Sequence, residues 1–300
     1  MARTALALDI GTCTITAATR DSDGRVGWVQ IGKRSIFEAR LVVDEDMKPR
    51  PPHPDDPSTV SQLGPVLTRL MAAPTIIEGT AWPFATLLRI LLDPIVAAAT
   101  AQVGVRRIDD ILVVVPQRWT EQEQLAFQLA LHTALTRHVR MVPSDKALAF
   151  AIPQPPLEQA SIVIDAGASA LSTVIVAGGR RGPRIVGRHS VDGGGDNFDR
   201  ILMANGIITA GHAEHALGPR WAWVGVPRVR EARLLLADVD PVAVDLPAPV
   251  GQILLVGDDV DATGDAFFGT QLVELLSTKV TAEAGAIRGS HDRALVLCGG

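Results

Sequence analysis

The chain has 300 residues, 47% of them hydrophobic and 4% aromatic, with a formal net charge of −5. That length allows a sizeable core in one large or two ordinary domains, and the absence of a long basic run argues against nucleic acid or an acidic membrane surface as the main partner. Cys13 and Cys298 have neither disulfide-framework nor zinc spacing, so a reducing, cytoplasmic setting is expected; the nearest approach to a membrane span, residues 90–103, is interrupted by Asp93 and Pro94.

Residues 4–32 alternate apolar and polar around a turn at Asp21–Gly24 and predict two or three antiparallel strands. Within them Thr4–Thr16, TALALDIGTCTIT, delivers Asp9 on an apolar run, then Gly11 and small residues, then a second β-like run. Residues 44–65 hold six prolines without periodicity and predict a surface loop. Residues 82–103 have the apolar density of a helix, with Pro94 expected to kink it or mark a boundary. Ile111–Pro116 predicts a strand buried on both faces. Thr120–Glu123 is a capping box, opening a helix whose Leu125, Phe127, Leu129, Leu131 and Leu135 are expected to be substantially buried. A short strand at 139–142 and a helical turn at 147–151 follow.

Residues 160–174, ASIVIDAGASALSTV, repeat the opening pattern, and Asp165 lies 156 residues after Asp9, about one domain length. A tight turn of small residues exposes backbone N–H groups suited to phosphate, and glycine admits the phosphate without a Cβ clash. A carboxylate beside such a turn suits a hydrated divalent cation that bridges phosphate oxygens. Two such hairpins suggest two similar halves facing one polyanionic ligand. Residues 192–199, DGGGDNFD, open a helix with a glycine-rich N-terminus, itself a plausible anion site. Residues 229–237 read as a helix, 242–246 and 253–256 as strands, 259–264 as a polar hairpin tip, and Asp265 as the cap of a helix running to about residue 280. The segment from Arg293 reads as a buried-type strand ending in Gly299 and Gly300.

Five segments in this order, LALDIGTCT, ILVVVPQRWTEQEQ with VRMVPSDKALAFA, VIDAGASALS, GGGDNFDRIL and ALVLCGG, resemble the actin-like ATPase superfamily, and within it the nucleotide-binding domain of the 70-kDa heat-shock chaperones (DnaK-type). The resemblance runs through most of residues 4–300, with little from 33–80. It implies an α/β fold of two lobes, each on a ribonuclease-H-like sheet: a first lobe over 1–146 and a second over 147–300 with a compact outer part at about 205–290. It implies Mg2+ and ATP in a cleft between the lobes and a chaperone-related role with a protein partner or client. Asp9 and Asp165 would orient the hydrated metal. Backbone around Gly11, Thr12 and Cys13, and around Gly167, Ala168 and Ser169, would hold the phosphates. Gly194, Gly195 and Asp196 would lie near ribose and phosphates, Arg233 near the base, and Gly299 with Gly300 under the adenosine.

The departures from the family pattern bear on catalysis. Where the family places a water-positioning glutamate, this chain reads Val142-Pro143-Ser144-Asp145, leaving Asp145 as the available acid. Ala170 replaces a threonine, Ser172 stands where an acid is usual, and no lysine occurs between Lys48 and Lys146. Each lost group would remove roughly 3 kcal/mol of transition-state stabilisation, so binding is expected to outlast fast hydrolysis. The chain also stops where family members continue, so the second lobe is expected to be incomplete at its C-terminus. Two readings stay open: a slow or weak ATPase, and a non-catalytic actin-like scaffold or regulator acting through protein partners.

Overall fold

Leu6, Leu8 and Ile10 are buried while Ala7 and Asp9 between them are exposed, so the first strand turns one face to a core and carries its acid on the other. The computed structural model describes residues 3–53, 62–156, 159–214, 216, 219–276 and 293–299. They form a mixed α/β protein that divides into two compact units, Met1–Leu148 and Ala149–Gly300.

In the first unit the strands are β1 (Ala5–Ile10), β2 (Thr14–Arg20), β3 (Val26–Trp28), β4 (Ile36–Glu38), β5 (Arg40–Val43), β6 (Pro49–Arg50), β7 (Gln62–Pro65), β8 (Thr75–Ile77), β9 (Thr80–Trp82), β10 (Asp110–Val115) and β11 (Val139–Pro143). The helices are α1 (Phe84–Gln102), α2 (Glu121–Leu135) and α3 (Ser144–Ala151), the last of which crosses the boundary between the units. The main sheet runs β11-β10-β1-β2-β3, with β4 also on β2. β11, β10 and β1 are parallel, whereas β2 and β3 return antiparallel.

The second unit holds β12 (Ala160–Ala166), β13 (Ala170–Ala177), β14 (Arg184–Asp192), α4 (Gly195–Thr209), α5 (Pro219–Leu235), β15 (Val242–Asp245), β16 (Gln252–Leu255), α6 (Gly257–Leu275) and β17 (Arg293–Gly299). Its sheet runs β14-β13-β12-β17, with β12 parallel to β17 and antiparallel to β13. The antiparallel run β1-β2-β3 and the parallel neighbour β10 thus have counterparts in β12-β13-β14 and β17. A smaller core joins α4, α5, β15 and β16 through Leu202, Ile207, Val229, Val244 and Ile253.

Several elements differ from the sequence expectation for identifiable reasons. The proline-rich stretch contributes strand: Val42 and Val43 pair with Arg50 and Pro49 after a turn in which Asp44 Oδ1 accepts from Lys48 N at 2.7 Å. Its residues 54–61 lie outside the described part. α1 continues through Pro94, which sits on an exposed side of the helix where water can satisfy the carbonyl that proline leaves unpaired. By length and composition α1 is long and apolar enough to cross a membrane, but Leu87, Leu88, Leu91, Leu92, Ile95 and Ala99 are buried in the unit. β10 alternates buried and half-buried residues instead of being buried on both faces. In α2, Leu125 and Leu129, one turn apart, are 67% and 68% exposed, whereas Phe127, Leu131 and Leu135 enter the core. α6 begins eight residues before Asp265 and converts the expected 259–264 hairpin tip into helix; Asp258 and Asp259 lie in its first turn, where carboxylates favour the helix dipole.

The capping box forms as expected: Glu123 N donates to Thr120 Oγ1 at 3.2 Å and Thr120 N to Glu123 Oε2 at 2.8 Å. The bonds that Thr120 N and Thr120 Oγ1 both donate to Glu123 Oε2 hold the Glu123 carboxyl below its ordinary pKa. Thr120→Ala removes the cap and is expected to cost about 1 kcal/mol in urea denaturation monitored by circular dichroism; no change would show that the α2 start is held by packing alone.

Candidate functional site

The two acid-bearing hairpins are built alike, residue for residue. Asp9 pairs with Thr16 across β1 and β2, and Asp165 with Ser172 across β12 and β13, so each acid faces a hydroxyl residue seven positions on. Gly11 N donates to Thr14 O at 2.9 Å, and Gly167 N to Ala170 O at 3.0 Å, closing the same turn twice. A Cβ on Gly11 would lie 3.0 Å from Thr14 O, and one on Gly167 3.2 Å from Ala170 O, so a side chain at either would have to displace the accepting carbonyl by a few tenths of an ångström. The pairing also sets Ala170 opposite Thr14 in the comparison, so the second turn lacks the first turn's hydroxyl.

The second turn is clamped by α4. Gly195 N donates to Gly167 O at 3.1 Å, Asp196 N to Ala168 O at 2.8 Å, and Gly193 N to Ser169 O at 3.2 Å. A Cβ at Gly194 would sit 2.1 Å from Gly167 O, so only glycine permits this approach. The helix N-terminus therefore bonds the hairpin and does not present those donors outward as the sequence suggested. Because a trans peptide sets N–H opposite the preceding C=O, turning the carbonyls of Gly167 and Ala168 toward α4 directs the N–H groups of Ala168 and Ser169 to the other side. Successive amides aimed to one side form a concavity suited to an anion.

Asp9 is reachable by solvent, but protein crowded around it displaces part of its hydration and raises its pKa above the ordinary 3.8. Among the described residues no group of three or more His, Cys, Asp or Glu side chains is placed to ligate a metal directly. Mg2+ keeps several of its own waters and is commonly held through one or two carboxylates, of which Asp9 offers one. Asp165 is half-buried, and Cys298 and Gly299 of β17 pair with Asp165 and Ala166. Gly300 lies outside the described residues.

Asp145 is 1% exposed in the first turn of α3. The parallel ladder pairs Val114 with Asp9 on one side and Val115 with Pro143 on the other, so β1, β10 and β11 end together and bring Asp9, Gln117 and Asp145 to the carboxyl end of one sheet. That end is the usual ligand side of parallel strands. Gln117 did not stand out in the sequence, although it follows the proline that ends the apolar run. Its backbone N donates to Ser144 Oγ at 3.3 Å, and its Oε1 is buried with no hydrogen-bond partner among the described residues.

Arg233, expected near a base, is engaged within its own unit. Its Nε donates to Asp199 Oδ1 at 2.9 Å, and its guanidinium lies 5.5 Å from the Phe198 ring centre. Arg230 bridges Asp199 Oδ2 and Asp196 Oδ1, both at 2.9 Å, and Arg200 Nε reaches Asp196 Oδ2 at 3.3 Å. Asp199 is fully buried, whereas Arg230 and Arg233 keep side-chain exposures of 25% and 28%. The network joins α4 to α5 and holds Asp196 beside the clamped turn.

Comparison with models of known protein families and with curated proteins finds no match.

Removing the buried acid leaves Arg233 without its carboxylate and Arg230 with Asp196 alone, so Asp199→Ala is expected to cost about 3 kcal/mol in urea denaturation; a loss below about 1 kcal/mol would show that the network is replaceable by water. Asp9 works in the opposite sense. Its folded pKa is raised, so stability falls as pH climbs from the ordinary value through the folded one and stays lower above it. Asp9→Asn is therefore expected to stabilise the ligand-free protein at about pH 7 and to match the parent near about pH 3. Equal stability at both pH values would remove the desolvation cost.

Proposed function

We propose that the chain is an actin-like, 70-kDa-heat-shock-type nucleotide-binding protein that binds Mg-ATP through its two acid-bearing hairpins and hydrolyses it slowly. The observation that carries the reading is the repeated register: the same acid, hydroxyl partner and glycine turn on matching strands of two matching sheets. The two-lobed actin-like fold belongs to this reading and is supported by the duplicated sheet order, by α4 on the second turn and by the order of the five motif segments. A chaperone-related role with a client or partner protein follows from the resemblance alone, and the cytoplasmic setting from the cysteine usage.

Each residue has a distinct task in this reading. The amides of Ala168 and Ser169 face the phosphates from the second hairpin, and the turn at Gly11, Thr12 and Cys13 does so from the first. Asp9 and Asp165 hold water molecules of the metal ion, which when bound supplies charge neutralisation of the phosphate oxygens. The desolvated Asp9 gains most from such a cation, because the cation offsets the cost of keeping the carboxylate ionised. α4 fixes the second turn before ligand arrives, so no loop has to be ordered on binding.

A non-catalytic scaffold or regulator is the second reading, favoured by a specific observation. Arg230 and Arg233 are tied to Asp196 and Asp199 within the second unit, and Ala170 supplies no hydroxyl at the turn. Such a protein keeps the nucleotide site while losing turnover, or loses both.

Thermal unfolding with and without Mg-ATP separates these outcomes. At about a hundred times its Kd the ligand is expected to stabilise by about 2.7 kcal/mol, and Asp9→Asn with Asp165→Asn is expected to abolish that gain. No midpoint shift at millimolar Mg-ATP contradicts the nucleotide-binding reading. A shift with turnover no faster than the double variant's selects the non-catalytic one.

A further inference from the structure

Gln117 ends the middle of three parallel strands and stands two residues past Val115, as Asp145 stands two residues past its register partner Pro143. The turn after β10 is pinned to the start of α3 by Gln117 N donating to Ser144 Oγ at 3.3 Å, and Trp119 N closes the same turn on Pro116 O at 3.2 Å. This leaves the side-chain amide held at its base while Oε1 is buried without a protein donor. A buried acceptor with no donor is costly, and the usual remedy is an ordered water or a ligand. The neighbouring strand end carries Asp9 and the other neighbour carries the 1%-exposed Asp145, so the orphan oxygen belongs to a polar end of the sheet and not to an apolar void.

We infer that Gln117 Oε1 accepts a hydrogen bond from the water that attacks the terminal phosphate, making Gln117 a water-positioning residue in a chain whose sequence has Val142 or Ser144 in place of a glutamate. The inference rests on the nucleotide-binding reading above. In the step it serves, the water oxygen forms a bond to the terminal phosphorus as the bond from that phosphorus to the bridging oxygen breaks. The bridging oxygen keeps the electron pair and leaves with ADP, and the water's proton goes to the released phosphate. Gln117 accepts a hydrogen bond throughout and exchanges no proton, which a carboxamide is suited to do.

The test reads binding, so slow turnover does not obscure it. Mg-ADP is added alone and with aluminium fluoride, which mimics the transferring phosphoryl group with its in-line water, and the midpoint of thermal unfolding is followed for the parent, Gln117→Met and Gln117→Glu. The expected result is a rise with Mg-ADP in all three and a further rise with aluminium fluoride in the parent and Gln117→Glu that Gln117→Met loses. A further rise retained by Gln117→Met overturns the inference, as does loss of the Mg-ADP rise in that variant or loss of the further rise in both variants. A parent that responds to Mg-ADP but not to aluminium fluoride overturns this inference and leaves nucleotide binding standing. A parent that responds to neither overturns the nucleotide-binding reading and this inference with it.

Discussion

A glycine N–H that closes on the carbonyl three residues later, Gly11 on Thr14 and Gly167 on Ala170, is the constraint on which the candidate site depends. It shortens each hairpin so that the acid one strand residue before the bend faces a hydroxyl residue on the returning strand. It also excludes a larger turn, because a Cβ at either glycine would press on the accepting carbonyl. In the second unit the same turn becomes a docking point for α4, and Gly194 is what lets the helix come close enough to bond it.

That docking links the orientation of the turn's amides to charge packing. Three carbonyls of the turn are held by the N-terminus of α4, so its amides are oriented without ligand, and α4 is in turn fixed to α5 by Asp196 and Asp199 with Arg200, Arg230 and Arg233. A fully buried carboxylate bonded by two arginines is costly to desolvate and costly to break, a combination that resists sliding of one helix on the other. The arrangement favours a site formed in advance. It also engages, through Nε, the arginine that the resemblance would place beside a base.

Much of this was legible in the sequence because it depends on short-range chemistry. The Asp-x-Gly turns, the Thr120 capping box, the strand from Ile111 and the glycine run before Phe198 all combine a local pattern with a local structural need. What escaped depends on partners distant in the chain. Leu125 and Leu129 look like core residues by composition, yet one turn apart they share the outer face of α2. The 259–264 segment has the polar residues of a turn, but β16 ends at Leu255, Val256 is the N-cap position of α6 and the acids that follow suit a helix start. Arg233 could be placed on a helix, whereas its bond to Asp199, 34 residues away, needed the packing of α4 on α5. Gln117 became visible only when the register of β10 with β1 and β11 set it at a sheet end beside two acids.

Hydrogen exchange measured by mass spectrometry, with and without Mg-ATP, tests the central claim most directly, since it asks whether both hairpins serve one ligand. Slower exchange is predicted at residues 12–13 and 168–169 together, while the amides of Gly11, Gly167, Gly195 and Asp196, already bonded within the protein, change little. Protection confined to one hairpin, or falling on neither, would contradict a nucleotide site built from the duplicated turn.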